Sequence, residues 1–396
     1  MRTTLCPVII AMSPLLVAPP WIGAAETAPS PVQFVAHRLG NYRSEALGVG
    51  DFNNDGKLDV VAGPNLYLAP DWKPIKIRTL TGPGVDDQGK GYMDDFANLP
   101  LDVNGDGALD VVSAGWFGKC VRWHENRAGS AGDWAESIVD SSGNYESAEL
   151  LDIDGDGRGA EVLANGKPTV WFEAGKDTAG RRTLIRHVIS EKPMAFGGGA
   201  GDINGDGKPD VLRPNAWFEA PADPRSGQWV EHPWAMGAPD GKADHTPQML
   251  VHDVNNDRRP DVITSSAHKH GIFWYEQTGD PKNPSWKQHL IDDSWSQAHS
   301  LALADIDGDG TPDLVTGKRF MAHNGKDPDE FGKLGVYWYG LRRGAEPTWT
   351  RHAISFDQGI GSGVNLCAED MDRDGDMDVV VTGKFGGPVL FENKLK

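Results

Sequence analysis

Short runs of valine, isoleucine and leucine alternate along this chain with tight polar loops at a nearly constant step. Loops of the form Asp-x-(Asn/Asp)-x-Asp begin at Asp51, Asp102, Asp152, Asp202, Asp253, Asp305 and Asp370, with steps of 51, 50, 50, 51, 52 and 65 residues. Each follows one apolar run, as in Leu47-Gly48-Val49, and precedes another, as in Val60-Val61, Val111-Val112 or Val379-Val380-Val381. Branched apolar residues on both sides of a tight loop predict the two strands of a hairpin.

Two further elements recur in each unit. One is an aromatic strand: Trp123-His124-Glu125, Trp171-Phe172-Glu173, Trp217-Phe218-Glu219, Trp274-Tyr275-Glu276, Trp338-Tyr339, Phe391-Glu392 and, more weakly, Leu66-Tyr67-Leu68. The other ends in histidine: Trp229-x-x-His232, Trp286-x-x-His289 and Trp349-x-x-His352, with looser versions at 184–189, 134–139 and 72–77. Four strands in a repeat of about 50 residues make one blade of a β-propeller. The pattern therefore predicts an all-β, seven-bladed β-propeller of four-stranded blades. The histidine strand missing after Phe391 stands at the other end of the chain, as Phe34-Val35-Ala36-His37-Arg38-Leu39. The N-terminal strand is expected to complete the last blade and leave no open sheet edge.

Ahead of the repeats, Arg2 precedes an apolar stretch from Leu5 to Ala18, and Gly23-Ala24-Ala25 offers small residues before Glu26. This reads as a signal peptide over residues 1–25, leaving a single propeller domain over 26–396 that is secreted or periplasmic. The stretch is shorter than the roughly 20 residues a membrane span needs. No membrane span is expected elsewhere. Cys120 and Cys367 are then the remaining cysteines, too few for a disulfide framework.

The seven loops place oxygen donors at positions 1, 3, 5 and 9. They are Asp51, Asn53, Asp55 and Asp59; Asp102, Asn104, Asp106 and Asp110; Asp152, Asp154, Asp156 and, one residue late, Glu161. The series continues with Asp202, Asn204, Asp206 and Asp210; Asp253, Asn255, Asp257 and Asp261; Asp305, Asp307, Asp309 and Asp313; Asp370, Asp372, Asp374 and Asp378. Such oxygen clusters suit Ca²⁺, up to seven ions in structural roles. A lone loop of this kind reads equally well as an Asx turn; seven in register favour a metal. Position 12 holds Ala62, Ser113, Leu163, Arg213, Thr264, Thr316 and Val381, never the glutamate of an EF-hand. The third loop, with Ala160 at position 9, and the fifth, with Arg258 in place of glycine, are expected to be the weakest sites.

Charge adds one exclusion. Asp and Glu number 57 against 38 Lys and Arg, a net charge of −19, which argues against sequence-independent nucleic-acid binding. The 14 tryptophans argue against a disordered acidic chain. Since 24 of the 57 carboxylates belong to the loops, the acidity reads as metal ligand and not as a sign of a cationic partner.

The repeats resemble the FG-GAP/VCBS family, whose calcium-loaded seven-bladed propeller also forms the head of integrin α-subunits. Phe196-Gly197 ahead of Gly201-Asp202-Ile203-Asn204-Gly205-Asp206-Gly207, and Asp59-Val60-Val61-Ala62-Gly63-Pro64, carry the likeness over roughly residues 33–394. The resemblance implies fold and metal; one propeller scaffold hosts many functions.

Function is sought among the polar residues that the repeat does not require. Of 12 histidines, five (His37, His187, His232, His289 and His352) hold the recurring outer-strand position, and His124 and His252 are explained by an aromatic strand and a metal loop. His245, His268, His270, His299 and His323 remain. All five fall in loops on the face opposite the metal loops, with Glu45, Asp94, Asp95, Tyr145, Glu146 and Gln248 on the entering side and Trp116, Lys119, Lys318, Arg319 and Lys384 on the other. The insertion from Lys318 to Gly335, which stretches the last step to 65 residues, joins them. Mixed acids, imidazoles and cations in a concave mouth suit general acid–base work.

The blades and the His-rich mouth also resemble, more weakly, the propeller domain of the aldos-2-ulose dehydratases, without their cupin domains. That resemblance implies β-elimination from an oxidised carbohydrate. His299 or His245 would take the proton. Lys318, Arg319 or a divalent cation in the central mouth would stabilise the enolate, and His268 or Tyr145 would protonate the leaving oxygen. Glu146 and His323 complete the catalytic set. The competing readings are a non-catalytic module for a carbohydrate or protein ligand, as in an adhesion head, and a surface-assembly protein without a convergent pocket.

Overall fold

The computed structural model describes residues 30–127 and 129–396. The expected signal peptide lies outside the described residues. Among those described there is no helix, and hence none long and apolar enough to cross a membrane. Seven four-stranded antiparallel sheets form the ring, with a small two-stranded hairpin, Gly84–Val85 with Gly91–Tyr92, between the first and second blades. The last blade consists of Leu366–Glu369, Asp378–Val381 and Gly387–Asn393, with Phe34–Tyr42 as its outermost strand. Ala36 pairs with Phe391 and His37 with Leu390, so the two ends of the chain close the ring as the sequence predicts.

Six of the seven acidic loops are tied down by their own position-9 carboxylate. Asp110 accepts the Val103 N–H at 3.1 Å and, across the blade, the Asn126 N–H at 2.7 Å. Asp59, Asp210, Asp261, Asp313 and Asp378 repeat both bonds with their own second residue and the end of their third strand. The side chain at position 2 (Phe52, Val103, Ile153, Ile203, Val254, Ile306 or Met371) is buried below. One acid thus satisfies two backbone donors that would be costly to leave unpaired.

The aromatic-x-Glu and histidine motifs have a common explanation. Trp171, Trp217, Trp274 and Trp338 stack on His187, His232, His289 and His352 of the neighbouring strand, with ring centroids 4.0–4.3 Å apart. Side chains two apart on a strand share a face. The glutamate following the tryptophan therefore meets the same histidine, as in Glu173–His187 at 2.8 Å and Glu219–His232 at 2.9 Å. Apolar clusters cement adjacent blades; one joins Leu99, Val112 and Trp123 to Ala148, Val162 and Phe172.

Candidate functional site

The mouth is built around Arg319, which follows the strand Asp313–Lys318 and is 1% exposed. Its backbone N–H is held by Gln297 O at 2.9 Å. Its guanidinium donates to Glu45 at 2.7 and 3.2 Å and to Glu146 Oε1 at 3.2 Å. That same Oε1 lies 3.2 Å from His299 Nε2 and 3.3 Å from His268 Nε2. Glu146 Oε2 has no partner among the described residues, and Glu146 lines the cavity above. Burial alone would raise both carboxyls, yet Arg319 and Lys384 hold Glu45 below its ordinary value. Bonds from His268 and His299 hold Glu146 well below its own.

The imidazoles respond in opposite directions. Burial and the nearby Arg319 push His299 down to about 4. His268 is raised despite its burial, through Asp327 and Glu146. Lys384 stands 3.4 Å over the Tyr92 ring and 4.0 Å from Glu45, and burial lowers it to about 8.

The long insertion supplies a second acid and a further histidine. His323 Nδ1 lies 2.8 Å from Asp327 Oδ1, and the His323 ring stacks on His268 at 4.3 Å. The buried carboxylate of Glu330 fixes this turn, accepting the His323 N–H at 3.0 Å and the Asp327 N–H at 2.8 Å. Asn324 Oδ1 accepts Gly91 N–H at 2.9 Å and ties the insertion to the small hairpin between the first and second blades. A cavity of about 340 Å³ is lined by Tyr92, Phe96, Trp116 and Phe117 together with Glu146, Arg319, His323 and Lys326. Aromatic and ionic groups lining one cavity suit a ligand with an apolar ring face and polar edges.

Of the residues singled out from sequence, Glu146, His268, His299, Arg319 and His323 come together here. His245 stands behind them, stacked on Phe196 at 5.1 Å, with Nδ1 accepting the Phe196 N–H. Tyr145 does not join: it is buried in the blade core, bonded to Asp140 at 2.5 Å. Lys318 does not join either, since its ammonium bonds Ser296 Oγ at 2.9 Å and Asp329 at 3.1 Å beneath the insertion. Asp94 and Asp95 serve structure, Asp94 accepting the Phe117 and Gly118 N–H groups and Asp95 pairing with Arg78. His270 bonds the Asp293 carbonyl outside the cluster. Asp327, Tyr92, Phe96 and Phe117 were not singled out: Asp327 lies in the insertion and Tyr92 in the small hairpin, while Phe96 holds in its blade the place of Glu45, Glu146 and His299, and Phe117 the place of His268.

Two groups in the mouth could hold a metal: Glu146, His268 and His299, and His268, His323 and Asp327. Ligand atoms on one ion bound at about 2.0–2.2 Å stand roughly 3 Å apart, which the contacts around Glu146 Oε1 match. Two imidazoles and a carboxylate suit a first-row ion better than calcium. His299 Nδ1 is buried without a hydrogen-bond partner, while His268 Nδ1 and Asp327 Oδ2 face each other at 3.5 Å.

The repeated loops offer oxygen alone. In each of the seven, the position-1 carboxylate accepts the N–H of position 6, from Gly56 at 2.8 Å to Gly375 at 3.1 Å. Asp305 Oδ1 and Asp370 Oδ1 are buried and unpartnered, as acceptors awaiting a cation would be. The carboxylates of loops three, six and seven lie close enough to share an ion. Burial pushes Asp59, Asp110, Asp261 and Asp378 up to about 6, and Asp210 and Asp313 to about 7.

The departures from the pattern read differently in three dimensions. Glu161 reaches the place of the usual aspartate, bonding the Ile153 N–H at 2.9 Å, because its extra methylene offsets the inserted residue. Arg258 does adopt the left-handed backbone, φ 68°, that glycine takes elsewhere at position 6. Position 4 needs the same region: Gly105, Gly155, Gly205, Gly308, Asn54 and Asn256 adopt it, and Arg373 is forced into it at φ 66°.

A family model described as FG-GAP-like repeat matches residues 102–164 and 253–316. No curated protein matches the chain in sequence. Among solved structures, the chain is similar to an Agrocybe aegerita lectin described by its specific recognition of non-reducing terminal N-acetylglucosamine. Identity is 13% over 94% of this chain and 97% of the lectin, with a TM-score of 0.48. The chain is a seven-bladed β-propeller that carries FG-GAP-like repeats at residues 102–164 and 253–316.

Proposed function

We propose that the mouth acts on carbohydrate by β-elimination from an oxidised sugar. What carries this reading is the meeting of Glu146, His268, His299 and Arg319 beneath a cavity that Glu146, Arg319 and His323 line together with Tyr92, Phe96, Trp116 and Phe117. The sugar ring lies against Trp116, Phe117 and Tyr92. His323 lines the cavity, and Asp327 at Nδ1 fixes its tautomer, leaving Nε2 as the base. It removes the proton from the carbon beside the carbonyl; the electron pair forms the C=C bond and the β C–O bond breaks. The imidazolium returns its proton to the leaving oxygen. His299 is too deeply buried to be the base that the sequence suggested, and it supports Glu146 instead. Arg319 stabilises the enolate charge. Glu146, His268 and His299 would hold a divalent cation, which when bound adds Lewis-acid stabilisation of the same oxygen.

In this reading the protein is exported, and the oxygen-lined loops hold structural calcium. The non-catalytic alternative, a carbohydrate-binding module, is favoured by the aromatic lining alone. Incubation with keto-sugars and uronate polysaccharides, with and without chelator, separates the two. Formation of an unsaturated sugar supports elimination; binding with no such product from any substrate removes it.

A further inference from the structure

Between the first and seventh blades, on the face carrying the metal loops, lies a second cavity of about 650 Å³. Its floor includes Met371 and Leu390, and Trp72 forms one side. Trp72 sits at φ 56° and Arg373, also lining the cleft, at φ 66°. A bulky side chain in that region is a true outlier, and such strain persists where the surroundings impose it, often at functional sites. The position Arg373 occupies is glycine or asparagine in the other six loops. Its Nη1 crosses the seam to within 3.9 Å of where a Cβ on Gly56 would stand.

The charges in the cleft are unevenly engaged. Among the described residues, Arg373 and Lys57 have neither a hydrogen-bond nor an ion-pair partner for their side chains. Four carboxylates line the same cleft: Asp55, Asp372 and Asp378 belong to the oxygen-lined loops, and Glu392 bonds His37 at 2.7 Å. With the loop carboxylates engaged by their cations, a ligand would meet the Trp72 indole beside Arg373 and Lys57.

We propose that this cleft binds an acidic sugar residue of uronate type, its ring against Trp72 and its carboxylate held by Arg373 and Lys57. The guanidinium fork matches a carboxylate and the indole matches the apolar face of a pyranose. The site lies on the opposite face from the mouth and does not depend on any chemistry there.

The test is calorimetric titration of the protein, in calcium, with a glucuronate-containing tetrasaccharide and with the same glycan after carboxyl reduction. The acidic glycan should bind at least tenfold more tightly than the neutral one. Arg373→Gly should erase that preference while leaving the melting temperature equal or higher, because glycine accepts the backbone without strain. Lys57→Ala should weaken it severalfold, and Glu146→Gln in the mouth should leave it intact. Equal affinity for the two glycans, wild-type affinity in Arg373→Gly, or no binding by the wild type overturns the proposal. Loss in Glu146→Gln alone would assign the acidic sugar to the mouth and remove it from the cleft.

Discussion

The two faces of the ring are built on opposite plans. On one, a single loop design recurs seven times, six of the copies with a carboxylate tying position 2 to the end of the third strand. On the other, the place recurs but the residue does not: Glu45, Glu146 and His299 stand at the same point of the repeat, where the other blades carry Phe96, Phe196, Pro247 and Val364, and they converge with Arg319 and the insertion on a few ångströms. Repetition marks what every blade needs in order to fold. What appears once is free to serve the site, and it is also where buried charge accumulates.

The comparison predicts different sensitivities. Chelation should act on the repeated face and produce the largest change, a marked fall in melting temperature, since ions bound to the folded state alone stabilise by mass action. An unchanged melting curve would remove structural metal from the loops. The gain from calcium should shrink as pH falls from 7.5 to 5. The position-9 carboxyls are raised in the metal-free fold to about 6 or 7. Their contribution to metal-free stability is present below their unfolded value near 4 and is lost as pH rises through 6 to 7, so calcium has most to restore at neutral pH. A calcium gain that grows on acidification would contradict this.

On the unrepeated face, Arg319→Ala strands two buried carboxylates and should cost about 3–5 kcal/mol in denaturant unfolding. Adding Glu45→Gln and Glu146→Gln should recover much of that loss; no recovery would mean that Arg319 acts by packing alone. The smallest effect returns to the loops. Arg258→Gly relieves a left-handed arginine and should stabilise the protein by about 1 kcal/mol, whereas a loss would show that the Arg258 side chain makes a compensating contact.

Legibility in the sequence followed the same division. The period of about 50 residues, the aromatic strands and the displaced histidine strand were enough for the seven blades and their closure, because each signal was repeated. In the mouth, residue types were legible but strand parity was not. Glu146 and its neighbour Tyr145 leave the strand on opposite faces, as do Arg319 and Lys318, so in each pair one reaches the cluster and the other turns away. Asp327 and Glu330 lie in an insertion with no register to read, and only the folded turn shows that they hold His323.

The central claim is that the unrepeated face performs chemistry at His323. It is tested most directly by the rate of unsaturated product formation from an oxidised sugar by the wild type and by His323→Ala. The account predicts turnover in the wild type and a loss of about 10²-fold or more in the variant, with sugar affinity and melting temperature retained. Equal turnover in the two proteins, or none in either, would contradict it.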